Sequence, residues 1–480
     1  MESFSTINTA VSWWPIFVLV ISMAFVVAGI AVLKFHPFFV LILGAVLVGV
    51  LSNELPGGDE VNRLVQAVEL TMSGFGSVAG SIAFVILLAA VIGLCMLESG
   101  AADKIVRRAI AVLGERRAPL ALLCAGFFLS IPVFFDTVFF LLLPIACALA
   151  LRTGSNYVLY ILAIGAGASV THVLVAPTPG PLLVAEALRP AGVELGTSML
   201  AGILAGILPA VSMLYFARWI DAKAPIELRD TPGISLEELR RATGRDESEL
   251  PSFLLSVLPV VVPVLLISIA AAGSSSAASA ANEPASGFKY YIDFLGNKNV
   301  AMFIGGIIAV FILVRQKKMG LPSVTEALGP AIATGGVIVM ITAAGGAFGA
   351  MIRHSGVGEV IQVIAEYYSI NYVLLSWLVA AVIRLAQGSA TVAMITSAGL
   401  MAAIITDGST LSMHPVYIFL AIGFGSLFCS WMNDSGFWVV GKLSGFTERE
   451  TLRTWTVMTI FVSVFGLIQV LLVSSVLPLR

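Results

Sequence analysis

The stretch RLAQGSATVA, Arg384 to Ala393, lies between YVLLSWLVAAVI (372–383) and MITSAGLMAAII (394–405), both almost wholly apolar. The combined run 372–406 is too long for one membrane crossing and too short for two full ones, at about 1.5 Å of rise per helical residue. A helical hairpin that enters and leaves on the same side fits this length. Gly388 permits a turn closed to bulkier residues, and Gln387, Ser389 and Thr391 surround it with hydrogen-bonding groups. Such re-entrant backbone is tolerated only where protein or a water-filled cavity surrounds it. The stretch therefore predicts a polar interior within an apolar frame.

Composition gives the frame. Of 480 residues, 59% are hydrophobic and 11% charged, with mean hydropathy +1.01. Soluble domains carry roughly 25% charged residues. Runs long enough to cross a bilayer as helix fall near 14–33, 38–52, 76–97, 156–175, 198–218, 252–272, 299–314, 331–351, 416–432 and 455–476. The expected class is an all-α polytopic membrane protein, integral to the plasma (inner) membrane and embedded in its lipid bilayer. Its first apolar run reads as a spanning helix, since no basic region precedes it. The balance of 26 Lys+Arg against 28 Asp+Glu leaves no basic footprint for nucleic acid. Cys95, Cys124, Cys147 and Cys429 are scattered in apolar segments without CxxC spacing, so neither a disulfide framework, a metal site nor a cofactor is expected.

A second long apolar stretch, 118–151, breaks at SIPVFFDTVFF (130–140). With both interrupted stretches read as hairpins and both termini outside, 19 of the 26 basic residues fall inside and six outside, leaving Arg384 alone at membrane depth. This is the bias of the positive-inside rule. Counting either hairpin as a single span would invert everything after it and spoil the bias.

The halves echo each other. LLAAVIGLCMLESG (87–100) is similar to TAAGGAFGAMIRHSG (342–356), and AIGAG (163–167) to AIGFG (421–425). Between these anchors each half carries an amphipathic stretch and then its hairpin. About five spans plus one re-entrant hairpin per half places the second copy upside down relative to the first, an inverted-topology repeat. The divisions expected are 1–98, 99–220, a charged inside linker 221–250, 251–352 and 353–480. Within the linker, Ser235 and Glu238 suggest the cap of a short helix. GSSSAASAANEPASG (273–287) reads as a flexible outside loop.

Four interruptions carry the polar chemistry. In the first, Pro132 opens the helix and Asp136 sits at the apex beside Thr137. A charge at bilayer depth is a functional candidate by default, although Asp136 also suits a helix cap. The second is THVLVAPTPGPLL (171–183), where Pro177, Pro179 and Pro181 flank Thr178 and Gly180 and His172 precedes them. His172 suits a proton or substrate role, or simple packing. RLAQGSATVA is the third. The fourth is CSWMNDSGFW (429–438), where Asn433, Asp434 and Ser435 end an apolar run and Asp434 again suits a cap. Arg384 cannot shed its charge, so it requires a negative partner: Asp136, Asp434 or an incoming anion. Two hairpin tips and two broken helices at matching positions predict a central binding site.

SIPVFFDTVFF, THxxxAPTPGP, RLAQGSATVA and NDSGFW resemble the signatures of the gluconate:proton symporter (GntP) family, within the wider ion-transporter superfamily, over nearly the whole chain. The resemblance implies import of gluconate and related sugar acids, or D-serine in some members, by proton symport. It implies a homodimer with a scaffold (1–98 and 251–352) and a mobile, elevator-type transport unit (118–220 and 371–480). Substrate contacts would come from Arg384, Gln387, Gly388, Ser389, Thr391, Thr178, Gly180, Asn433, Ser435 and Thr137, and the proton from Asp136, His172 or Asp434. Several relatives have His–Val before the Asn–Asp motif; here the residues are Trp431 and Met432. Sodium coupling through hairpin carbonyls, Ser389, Thr391 and Asn433 is the alternative within transport. An intramembrane aspartyl protease built on Asp136 and Asp434 would need a GxGD motif that the chain lacks, and no G-x-S-x-G elbow is present either.

Overall fold

A computed structural model describes residues 12–53, 55–56, 62–229, 249–277, 287–357, 360, 370–405, 411–432 and 434–479. Regular structure among them is helical throughout, with no strand. The first half contains α1 (Trp14–Val27), α2 (Pro37–Leu51), α3 (Arg63–Glu98), α4 (Ala101–Leu113), α5 (Ala118–Leu129), α6 (Phe135–Thr153), α7 (Tyr157–Leu174), α8 (Pro179–Ala187) and α9 (Leu195–Lys223). The second contains α10 (Phe253–Ala277), α11 (Gly287–Gly296), α12 (Lys298–Lys317), α13 (Leu321–His354), α14 (Tyr372–Gln387), α15 (Ala390–Ile404), α16 (Val416–Gly425), α17 (Ser435–Leu443) and α18 (Glu448–Val476).

Among the described residues, seven helical runs are long and apolar enough to cross a membrane. The outward faces of these and of the shorter apolar helices carry large exposed apolar side chains, including Phe17, Leu43, Leu204, Tyr215, Trp219, Phe311 and Leu472. A water-soluble surface does not sustain apolar exposure on this scale. The chain is an integral, multi-pass membrane protein.

Several helices outrun their apolar cores. The apolar run near 76–97 belongs to a helix that begins at Arg63, where the Asn62 side chain accepts from the Leu64 N–H at 3.0 Å. Hydropathy alone misses this part because RLVQAVELTMSGF mixes polar and apolar residues, while backbone bonding continues through it. The helix α11, just after the run read as a loop, has its own apolar set in GFKYYIDFLG. Most of the linker with Ser235 and Glu238, the centre of the 273–287 run and most of the amphipathic stretch 358–370 lie outside the described residues.

Helix contacts run through the whole fold, and two groups of them frame the site. In one, α13 lies against α2 and α3, and α12 against α3 and α10. In the other, α7 is flanked by α5, α6 and α9, while α16 is flanked by α14 and α18. The run from Tyr157 to Ala187 is 94% buried over its most apolar window, against 33–61% for the other six. It is therefore the most enclosed of the seven, with protein rather than lipid around it. Both AIG-x-G segments serve close packing. A Cβ on Gly167 would strike Leu123 O of α5, and one on Gly425 would strike Trp377 O of α14. In each half the last glycine of that segment lets a buried helix touch the backbone of the first hairpin arm. The α13–α15 contact joins the two groups beside the site.

Candidate functional site

The four interruptions meet at one cavity of about 380 Å³, within the roughly 300–1,000 Å³ range of small-molecule sites. Its wall includes Asp136, Thr137, His172, Arg384, Gln387, Ser389, Thr391, Asp434 and Ser435. These nine are sequence candidates drawn from four separate segments. Ile30, Pro37, Thr334, Ile338, Ile341 and Thr342 also line it, so helices of both groups contribute to the cavity.

Local geometry explains how each break reaches it. Pro132 lies in the turn between α5 and α6, and the Ser130 hydroxyl donates to Val133 O at 3.3 Å, closing that turn. Helix α6 then starts with Phe135, Asp136 and Thr137 on the cavity. After α7 the chain turns through Val175–Thr178, and α8 starts at Pro179 on the cavity wall. At the second hairpin Gly388 takes φ +81°, ending α14, and the Ser389 hydroxyl caps α15 by accepting from Val392 N–H at 3.3 Å. Asp434 caps α17, its Oδ1 accepting from Gly436 N–H at 3.0 Å. All four breaks thus aim helix N-termini at one space. Each N-terminus carries the partial positive charge of its helix, an arrangement suited to an anion.

Arg384 is 4% exposed. Its Nη1 donates to Gly388 O across the hairpin tip, and its Nη2 pairs with Asp434 Oδ2. Asp434 therefore both caps α17 and neutralises the arginine. Asp136 differs: its side chain is exposed to the cavity, and no cation lies at ion-pair distance among the described residues.

Several polar atoms at this wall are buried without a hydrogen-bond partner among the described residues: both ends of the Gln387 amide, Arg384 Nε, His172 Nδ1 and Ser169 Oγ. A buried unsatisfied group costs about 1–3 kcal/mol, so a cluster around one cavity points to a polar occupant. The other candidates sit differently. Thr178 is buried and its hydroxyl donates back to the preceding turn, to Val175 O at 2.7 Å and His172 O at 2.9 Å. Gly180 packs against Met394, whose Sδ would be 2.7 Å from an added Cβ. Gly388 lies behind the cavity wall as acceptor for Arg384, and Asn433 lies outside the described residues.

Sequence reasoning overlooked Ser169, Ser430, Trp455, Thr334 and Thr342. Ser169 had a usable signal, being three residues before His172 and so on the same helix face. Ser430 lay inside the fourth interruption. Trp455 had none, since it sits at the start of an ordinary apolar run.

Crossing helices folded around a small chamber, with a few polar side chains set among apolar ones, fit a multi-pass membrane permease. The chain belongs to the GntP permease family: the profile described as GntP family permease matches residues 14–476. A gluconate permease of Pseudomonas aeruginosa is 34% identical over 92% of this chain and 94% of the relative. The Gnt-II system L-idonate transporter of Escherichia coli K12 is 33% identical over 94% of this chain and 99% of the relative. Among solved structures, the YdaH transporter of Alcanivorax borkumensis resembles the fold with TM-score 0.54 at 16% identity, over 92% of this chain and 98% of that one.

Proposed function

We propose that this permease imports gluconate-like sugar acids, or closely related small hydroxylated carboxylates, by proton symport across the inner membrane. The observation that carries the reading is the chamber wall, where four helix N-termini and Arg384 meet the unsatisfied Gln387 amide. A polyhydroxylated carboxylate matches both features. Its carboxylate suits a guanidinium fork and helix N-termini, and its hydroxyls suit Gln387, Ser389, Thr391, Ser435, Ser169 and His172. The relatives named for gluconate and L-idonate handle molecules of this class.

In this reading Arg384 exchanges its Asp434 partner for the substrate carboxylate. We assign the proton to Asp136, the carboxyl that faces the chamber without a cation beside it, with His172 as second candidate. The two halves are read as inverted repeats, supported by the matched order of hairpin and broken helix and by the shared packing of Gly167 and Gly425. Movement of the α5–α9 and α14–α18 group against the α1–α3 and α10–α13 group, as an elevator, would carry the chamber across the membrane. The contribution of both groups to the chamber supports this. We place both termini outside and the working unit as a homodimer.

Uptake of radiolabelled gluconate into proteoliposomes under an imposed pH gradient, with L-idonate, D-serine and an aliphatic carboxylate as competitors, tests the reading. Saturable uptake blocked by the sugar acids supports it. Uptake that ignores the pH gradient and follows sodium removes the proton-coupling part.

A further inference from the structure

Asp434 Oδ2 accepts two hydrogen bonds, one from Arg384 Nη2 and one from the Ser430 hydroxyl. Ser430 Oγ in turn accepts from Trp455 Nε1 at 2.7 Å. The backbone of Ser430 is pinned on both sides by α18: its N–H donates to Thr459 Oγ1 at 3.1 Å, and its carbonyl accepts from the Thr456 hydroxyl. Ser430 is 1% exposed and Trp455 3%. The indole N–H is a donor only. It occupies a lone pair of the serine oxygen, and the hydroxyl proton points to Asp434. Bonds in such a chain polarise one another, each donor strengthened by the bond it receives.

Arg384 faces a difficulty in the reading above. To meet a substrate carboxylate it must leave Asp434, and a buried carboxylate stripped of donors is costly. With Ser430 and the Gly436 N–H in place, Asp434 keeps two donors after the guanidinium turns away. Because Ser430 and Arg384 share one oxygen, each also weakens the hold of the other on it.

We propose that Ser430, oriented by Trp455, is a positioning residue for anion binding: it keeps Asp434 hydrogen-bonded when Arg384 is released, so that one guanidinium serves two carboxylates in turn. This rests on the assignment of a carboxylate substrate to Arg384. Without Ser430, the Arg384–Asp434 pair tightens and the substrate competes less well for the arginine. Trp455 acts only through the serine, by fixing which way its hydroxyl points.

The test uses full-length protein in proteoliposomes, with gluconate as probe, and compares wild type, Ser430→Ala, Trp455→Phe, the double variant and Arg384→Lys. Ser430→Ala is expected to raise KM at least tenfold, the size of one hydrogen bond to a charged group, with Vmax within twofold. Trp455→Phe, which keeps an aromatic ring against Phe135 and loses the N–H, is expected to raise KM by a smaller factor. The double variant is expected to match Ser430→Ala alone, because the indole has no separate route to Asp434. A merely structural role would give additive losses, chiefly in Vmax. Unchanged KM in Ser430→Ala overturns the proposal, as does additivity in the double variant. If Ser430→Ala fails to yield folded protein, Trp455→Phe decides: a raised KM at retained Vmax supports the proposal and an unchanged KM overturns it. Wild type without gluconate uptake, or Arg384→Lys with normal KM, sinks the underlying substrate reading instead.

Discussion

Arg384 Nη2 and Asp434 Oδ2, fifty residues apart in the chain, form a buried ion pair that ties the tip of the second hairpin to the start of α17. The same arginine closes the hairpin through Gly388 O, and the same aspartate caps a helix. Neither side chain has a purely local role. Removing one partner would leave an uncompensated buried charge, a loss of about 3–5 kcal/mol.

Arg384→Lys keeps the charge and loses the fork. A lysine ammonium reproduces neither the two parallel bonds to a carboxylate nor the simultaneous reach to Gly388 O and Asp434. We expect folded protein whose gluconate affinity falls at least tenfold, and which gluconate no longer stabilises in thermal melting. Unchanged affinity would remove the anchor role.

Coupling is separable from binding. Asp136→Asn is expected to retain gluconate exchange between equal pools while losing accumulation driven by a pH gradient, with His172→Gln as the second variant. Accumulation retained in both variants would show that neither residue carries the proton.

Gly388→Ala tests the hairpin tip. At φ +81° an L-residue is strained by roughly 1–2 kcal/mol, and the carbonyl that receives Arg384 shifts with the backbone. A lower melting temperature together with a raised KM is expected. Wild-type values for both would mean that the tip geometry is not required.

The elevator proposal has a local test at Glu186 and Lys298. Lys298 Nζ meets Glu186 Oε2 at 2.7 Å, joining the end of α8 to the start of α12 across the two helix groups. Cysteines at both positions, bridged by a bifunctional thiol reagent in a background lacking the native cysteines, should arrest uptake. Gluconate should still stabilise the cross-linked protein. Full uptake after complete cross-linking would contradict relative motion of the groups at this point.

Much of this was readable from residue order because membrane-embedded sequence is unforgiving. Arg384, Gln387 and Asp136 stand out when their neighbours are apolar, and Pro132 and Gly388 mark breaks through backbone chemistry alone. That set led to nine of the cavity's lining residues. Pairing was not readable. Nothing local distinguishes Asp434 from Asp136 as the partner of Arg384, since that choice depends on how α14 and α17 meet in space. Trp455 was invisible for the opposite reason: an indole at the head of an apolar run looks like packing, and its N–H bond to Ser430 exists only in the fold. Thr178 shows the reverse limit. Its place between prolines suggests an open polar site, yet its hydroxyl is spent on the turn that the prolines create.

A chamber that carries a sugar acid inward with a proton must concentrate it when protons alone drive uptake. Purified protein is reconstituted into sodium-free proteoliposomes, and labelled gluconate is added with the outside made more acidic than the inside. Gluconate is expected to accumulate above the outside concentration, and a protonophore or Arg384→Lys to abolish this. Gluconate that only equilibrates under the gradient, or that accumulates solely when a sodium gradient is supplied, would contradict it.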